Sequence, residues 1–169
     1  MGEHSIEEWF ESYQKDITSF LAYYTGSLDV EDLVQETFLV AINKLSNFKG
    51  DSHPKTWLIS IARNIVIDRY RRRKVWERIK HVISADETAS NGIENKIIEN
   101  LDSVELVNAI ERLSRPHKEV VILRGILELS SEETCVILKC SQNTVNVKFH
   151  RALKKLRVIL EKEGFSYER

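Results

Sequence analysis

The stretch FKGDSHPKTWLISIARNIVIDRYRRRKVWERIK, Phe48 to Lys80, decides how the chain is read. It opens as a loop, because Gly50, Asp51, Ser52, His53 and Pro54 are breaker and capping residues. Trp57, Ile61 and Ile65 then recur at helical spacing and predict a helix. That helix runs into Arg69, Arg71, Arg72, Arg73 and Lys74. From Lys49 to Lys80 there are ten basic and three acidic side chains, a net charge of +7 in a chain whose total is −1. Positive charge gathered on one helix and its leading loop is the footprint of an element that binds a polyanion.

The rest of the charge is sorted in the same way. Residues 1–48 carry a net −7, residues 81–105 a net −5, and residues 139–157 a net +6 with no acid at all. Two basic stretches between acidic ones imply two contacts with nucleic acid and separate surfaces for protein. At 42% apolar and 30% charged, the composition is that of a soluble globular protein. Two prolines, six glycines and little strand-like alternation give an all-α expectation. No apolar run approaches the ~20 residues of a membrane span. The acidic start, with Glu3, Glu7 and Glu8, does not fit a secretory leader. Cys135 and Cys140 form no disulfide framework and read as reduced thiols of a cytoplasmic protein.

Two helices precede the central stretch. Ser5 and Glu8 form a capping box for the first, which places Ile6, Trp9/Phe10, Tyr13, Ile17, Phe20/Leu21 and Tyr24 inward and can stop at Gly26. Asp29 is placed to cap the second, with Val30, Leu33/Val34, Phe38, Ala41/Ile42 and Leu45 inward and Glu31, Asp32, Gln35 and Glu36 outward. Matching apolar faces and short joints make residues 1–80 one three- to four-helix bundle. Residues 81–103 are acidic, rich in Ser, Asn and Gly, and read as a flexible linker.

A second small helical domain, residues 104–169, follows. Val104, Val107, Ile110 and Leu113 make one stripe; Pro116 suits the first turn of the next helix, which carries Val120, Val121, Leu123 and Leu127. Ser130-Ser131-Glu132-Glu133 is a second capping box and opens a short helix. Ser141 caps a longer one with Val145, Phe149, Ala152, Leu156 and Leu160 inward. A short helix, a tight turn and a longer helix make a helix-turn-helix candidate. Its outer face carries Gln142, Asn143, Asn146, Lys148, His150, Arg151, Lys154 and Lys155, amides and cations that suit base edges and phosphates.

Three segments, DVEDLVQETFLVAINKLSNF at 29–48, KGDSHPKTWLISIARNIVIDRYRRR at 49–73 and LSSEETCVILKCSQNTVNVKFHRALKKLR at 129–157, occur in this order over almost the whole chain. Together they resemble a bacterial sigma factor of the extracytoplasmic function group, in the sigma-seventy family. The resemblance implies a chain that joins core RNA polymerase and directs promoter recognition and DNA melting. It implies that Glu31, Asp32, Gln35 and Glu36 lie on the helix that binds the clamp coiled coil of the polymerase large subunit. It implies that Lys49, Asp51, Ser52, Lys55 and Asn64 belong to the loop and helix that capture a base flipped from the minus-ten element. Flipping costs a few kcal/mol of unstacking, which a polar pocket and cationic backbone contacts can offset. Arg63, Arg69, Arg71, Arg72 and Arg73 are the candidates for those backbone contacts. The Gln142–Lys155 helix is implied to enter the major groove at the minus-thirty-five element. The family's usual regulator is a membrane-tethered anti-sigma protein, and the resemblance implies such a partner here. Pro54 stands where an aromatic is common, Ser114 where proline is usual, Cys135 where alanine is usual, and Asn143 and Asn146 where a glycine and a basic residue are frequent.

Read without the resemblance, the Arg71–Lys74 run is also a solvated helix end, Asn64 also a backbone cap, and Asp32, Gln35 and Glu36 an ordinary wet face. A stand-alone helix-turn-helix regulator and a protein-only adaptor are the rival readings; both leave the 29–64 block unexplained. No catalytic constellation is visible, so no enzyme activity and no cofactor are expected. Cys135, Cys140, His117 and His150 lack the paired short spacings of a structural zinc site.

Overall fold

A computed structural model describes residues 5–83 and 101–164, and all regular elements among them are helical. Helix α1 (Ile6–Thr25) starts at Ser5, whose Oγ accepts the Glu7 N–H at 3.2 Å. The carboxylate that answers the Ser5 hydroxyl is that of Glu7, not the expected Glu8. Gly26 ends the helix at φ +69°, with its N–H on the Ala22 carbonyl at 2.9 Å. A Cβ at Gly26 would come within 2.8 Å of Glu111 Cδ, so glycine serves both the left-handed turn and a close interhelix approach.

Helix α2 (Glu31–Lys44) is not capped by Asp29. Val30 holds the cap position without a side-chain hydrogen bond, and Asp29 stays exposed with its N–H on Ser27 Oγ at 3.1 Å. The choice follows from magnitudes: an Asx cap contributes about 1 kcal/mol, whereas burying a valine contributes about 1.5–3 kcal/mol. A 3₁₀ turn, Leu45–Asn47, leads into the loop before α3 (Pro54–Ile83). Pro54 is the first helical residue, and His53 Nδ1 accepts the Lys55 N–H at 3.2 Å.

The three helices bury Ile17, Phe20, Leu21, Phe38, Ala41, Leu58, Ile59 and Ala62. Trp9, Phe48 and Trp57 close one end as an aromatic trio with centroids 5.0–6.0 Å apart, with Trp9 buried and Trp57 half-buried against the core. Phe10 and Ile42, read as inward, are exposed, because Trp9 and Ala41 take the inward places beside them.

The second group comprises α4 (Leu101–Glu111), α5 (Arg115–Val121), α6 (Ser131–Leu138) and α7 (Gln142–Lys162). α5 widens into a π turn, Ile122–Ile126, closed by the Leu127 N–H on the Ile122 carbonyl at 2.9 Å. The second capping box forms as expected: Ser130 Oγ accepts the Glu133 N–H at 3.1 Å, and Glu133 Oε2 accepts the Ser130 N–H at 2.7 Å. Ser141 caps α7 through the Thr144 N–H at 3.2 Å. Cys135, expected to be buried, is half-buried on α6. The expected linker at 81–103 falls largely outside the described residues; at its ends, helical backbone reaches Ile83 and resumes at Leu101.

The buried core is continuous across both groups. α1 leans on α4 and the π turn, and α3 leans on α6. The first half of α3 is therefore packed on two sides, and this decides which of its polar residues reach solvent.

Candidate nucleic-acid interface

The outer face of α2 presents Glu31, Asp32 and Gln35 to solvent. Glu36 is half-buried and pairs with Arg69 of α3. Leu39 and Ile42 lie on the same face, 60% and 50% exposed. At helical spacing they follow Gln35 by four and seven residues, which makes an apolar centre with an acidic edge. The sequence holds the signal for this: α2 has more apolar positions than one buried stripe uses. Leu39 has no place in the expected core stripe, and Ile42, expected inward, faces solvent.

Before and along α3, Lys49 and Asp51 are exposed and Ser52 is half-buried. Lys55 pairs with Asp16 of α1 at 3.8 Å. Arg63 and Asn64, neighbours in sequence, part company. Asn64 is exposed, whereas Arg63 turns toward α5 and pairs with Glu119. Beyond Ile67 the helix leaves the core, and Arg69, Arg71, Arg72, Arg73 and Lys74 are all exposed. Arg71 is 3.9 Å from Asp68, and the Arg73 guanidinium stands 6.0 Å above the Tyr70 ring. Among the described residues, Arg72 and Lys74 have no carboxylate within ion-pair distance.

Glu119 is the point where the two helix groups meet. It is 6% exposed, and its carboxylate accepts from four donors. Oε1 takes the Tyr24 hydroxyl at 2.7 Å, Arg63 Nε at 3.0 Å and Arg115 Nε at 3.3 Å. Oε2 takes Arg63 Nη2 at 3.2 Å, so Arg63 is held by both edges of its fork. Burial first, and then the Glu119 carboxylate, push the Tyr24 hydroxyl up to about 12. Nearby, the Thr56 hydroxyl donates to Glu133 Oε1 at 3.5 Å, a second tie between α3 and α6. Burial raises the Glu133 carboxyl, but hydrogen bonds from Ser130, with Lys55 and His53 close by, bring it below the ordinary range.

On α7, Asn143, Asn146, His150 and Lys154 fall on one helical stripe with the exposed Val147 among them. Ser131 of α6 donates to Asn146 Oδ1 at 2.7 Å, which leaves the amide NH₂ for an outside acceptor. Gln142 Nε2 lies 3.5 Å from Glu132 Oε1. Lys148, Arg151 and Lys155 flank the stripe on the side of His117; Lys155 Nζ is 3.4 Å from His117 Nδ1. Burial, then Lys155, Arg151 and Lys148, hold the His117 ring below its ordinary range. This polar stripe is thus separated from a cationic shoulder, a division invisible in the outward residues taken together. Val147, outside the amide-and-cation pattern of this face, exposes methyl groups of the kind that suit a thymine methyl group.

The described helices thus bring together an acidic and apolar face on α2, a cationic helix with an exposed amide, and a helix-turn-helix. Residues 9–75 match the Sigma-70 region 2 family model, and residues 103–156 match Sigma-70 region 4. The chain is 34% identical over 156 residues to RNA polymerase sigma factor YlaC of Bacillus subtilis (strain 168), covering 90% of each protein. It is 30% identical over 165 residues to ECF RNA polymerase sigma factor SigX of the same organism, covering 94% of this chain and 85% of that one. Its fold matches the sigma factor RpoE, solved in complex with the anti-sigma factor NepR from Bartonella quintana. That match has a TM-score of 0.75 at 24% identity and covers 92% of this chain and 96% of that one. The chain belongs to the sigma-70 family, in its ECF group, and is a sigma factor that directs transcription initiation. The stand-alone regulator reading is not favoured, since region 2 accounts for the block that reading left unexplained. Among the described residues no helix is long and apolar enough to cross a membrane.

Proposed function

We propose that each face of the molecule has one partner. The outer face of α2, through Glu31, Asp32, Gln35 and Glu36 with Leu39 and Ile42 at its apolar centre, docks on core RNA polymerase. Lys49, Asp51, Ser52, Lys55 and Asn64 hold an unstacked base of the minus-ten element. Arg63, Arg69, Arg71, Arg72 and Arg73 contact the strand backbone. The stripe of Gln142, Asn143, Asn146, His150 and Lys154, with Val147, reads the minus-thirty-five element in the major groove, while Lys148, Arg151 and Lys155 hold its phosphates. In this reading residues 1–80 form the polymerase-binding and melting unit, 81–103 the linker and 104–169 the upstream-reading unit. The protein works in the cytoplasm, the polymerase supplies all the chemistry, and an anti-sigma protein is its regulator, as in the matched complex.

The observation that carries this reading is the exposure of Asn64 and of the 69–74 cations on a helix whose first half is otherwise buried. An amide can pair with a base edge, and arginines can offset the unstacking cost through phosphates. The test is Asn64→Ala followed by permanganate footprinting of promoter melting. Reduced melting with normal co-purification of core polymerase is expected; unchanged melting would remove Asn64 from the pocket. Asp32→Arg is expected to do the reverse, weakening co-purification while leaving the helical circular dichroism spectrum intact.

A further inference from the structure

Arg63 is proposed above to contact the DNA backbone in the working complex, yet here a protein carboxylate holds it. Its side chain is 17% exposed and that of Glu119 is 7% exposed. Both arms of the guanidinium are engaged, at 3.0 and 3.2 Å, in the two-point geometry arginine also uses for phosphate. One guanidinium fork cannot serve a carboxylate and a phosphate in this way at once. The Thr56–Glu133 contact draws α6 over the same side of α3 a little upstream. Asn64 stays in solvent, so only part of the strand-binding set is covered.

We propose that Glu119 is an internal stand-in for a DNA phosphate. It closes the two helix groups on each other through Arg63 and Tyr24, and it holds the free chain in a form that binds the melted strand poorly. The contact is suited to release. A buried ion pair recovers little more than its desolvation cost, so exchanging one oxyanion for another on Arg63 is close to balanced. Arg115, the other cation on Glu119, is 48% exposed and belongs to the same helix. It therefore keeps the carboxylate partnered after Arg63 leaves. A strand that binds the open form must first overcome closure, and loss of Glu119 removes that competition.

The test uses the full chain without polymerase and a short fluorescent mixed-sequence single strand. Glu119→Gln keeps the volume and an acceptor for Tyr24 but removes the charge. It is expected to bind the strand about five- to tenfold tighter than the wild type, within the usual range for a conformational coupling. It is also expected to show a larger radius of gyration in solution scattering. Tyr24→Phe should shift both readouts in the same direction by less, and it carries the test if Glu119→Gln fails to fold. The double variant Arg63→Gln/Glu119→Gln should open without gaining affinity. A merely structural Glu119 would give the opposite sign, weaker binding by a destabilised protein. Unchanged or weaker strand binding by Glu119→Gln, or by Tyr24→Phe in its place, overturns the proposal. Open-complex formation by holoenzyme containing Arg63→Gln, run alongside, separates the two readings. Reduced open complex with no strand-binding gain for the Glu119 and Tyr24 variants sinks only the closed form. Open complex equal to the wild type's sinks the reading of Arg63 as a DNA contact and this proposal with it.

Discussion

The two halves of α3 both carry cations and are treated oppositely: residues 54–67 hold two of them among mostly apolar neighbours, residues 68–83 hold seven. Over residues 54–67 the helix is clamped between α1 and α2 on one side and the second helix group on the other, with Thr56, Leu58, Ile59 and Ala62 fully buried. The cations of this half are claimed by protein, Lys55 by Asp16 and Arg63 by Glu119. From Asp68 onward the helix projects from the core. Its arginines are in solvent, as are Tyr70, Val75, Trp76 and Ile79, with Trp76 60% exposed. The difference teaches that packing sorts the cations of one helix: the two in the packed half are held by protein carboxylates, while those of the projecting half face solvent.

Stability should divide along the same line, and the largest contrast lies between Leu58 and Trp76. Leu58→Ala is expected to cost about 2–5 kcal/mol, the usual penalty for a cavity in a closed core. Trp76→Ala is expected to stay within about 0.5 kcal/mol, as exposed sites do. Chemical denaturation of the two variants checks this, and equal losses would break the division. The next contrast is between arginines. Arg63→Ala strips Glu119 of two of its four hydrogen bonds and is expected to cost about 1–3 kcal/mol. Arg72→Ala should leave the urea midpoint where it is.

The smallest effect is a pH dependence at the joint. Burial, and then the Glu119 carboxylate, raise the Tyr24 hydroxyl to about 12, above the ordinary tyrosine value of about 10. A group whose folded value is raised adds stability that is complete below the unfolded value and lost as pH climbs through the folded one. The wild type should therefore lose stability between about pH 10 and 12. Tyr24→Phe, lacking the titrating proton, should lose less over that window in an alkaline thermal-melt series.

Much of this was legible in the sequence, where periodicity and punctuation agree. Gly26, Pro54, the Ser130–Glu133 box and Ser141 place helix ends where the backbone puts them, and the α7 stripe of Val145, Ala152, Leu156 and Leu160 is buried as read. The failures arose where two local rules competed. Asp29 is the better cap by type, but burial of Val30 outweighs it. Phe10 and Ile42 are apolar enough for the core, but Trp9 and Ala41 beside them take the inward places. Glu119 could not have been found from the sequence. Its partners Tyr24 and Arg63 stand 95 and 56 residues away, and only the packing of α1 and α3 on α5 brings them together. The separation of the polar α7 stripe from its cationic shoulder likewise needed the position of His117.

The central claim is that the projecting half of α3 carries the strand-backbone contacts. Its most direct test is the salt dependence of open-complex formation by polymerase holoenzyme containing the wild type or the triple variant Arg71→Ala, Arg72→Ala, Arg73→Ala. Each lost phosphate contact lowers the slope of log K against log salt by roughly 0.7–0.9. The account therefore predicts a slope shallower by about 2 to 3 for the triple variant, with its thermal melt unchanged. A slope equal to the wild type's would show that these arginines merely decorate a solvated helix end, and would contradict the account.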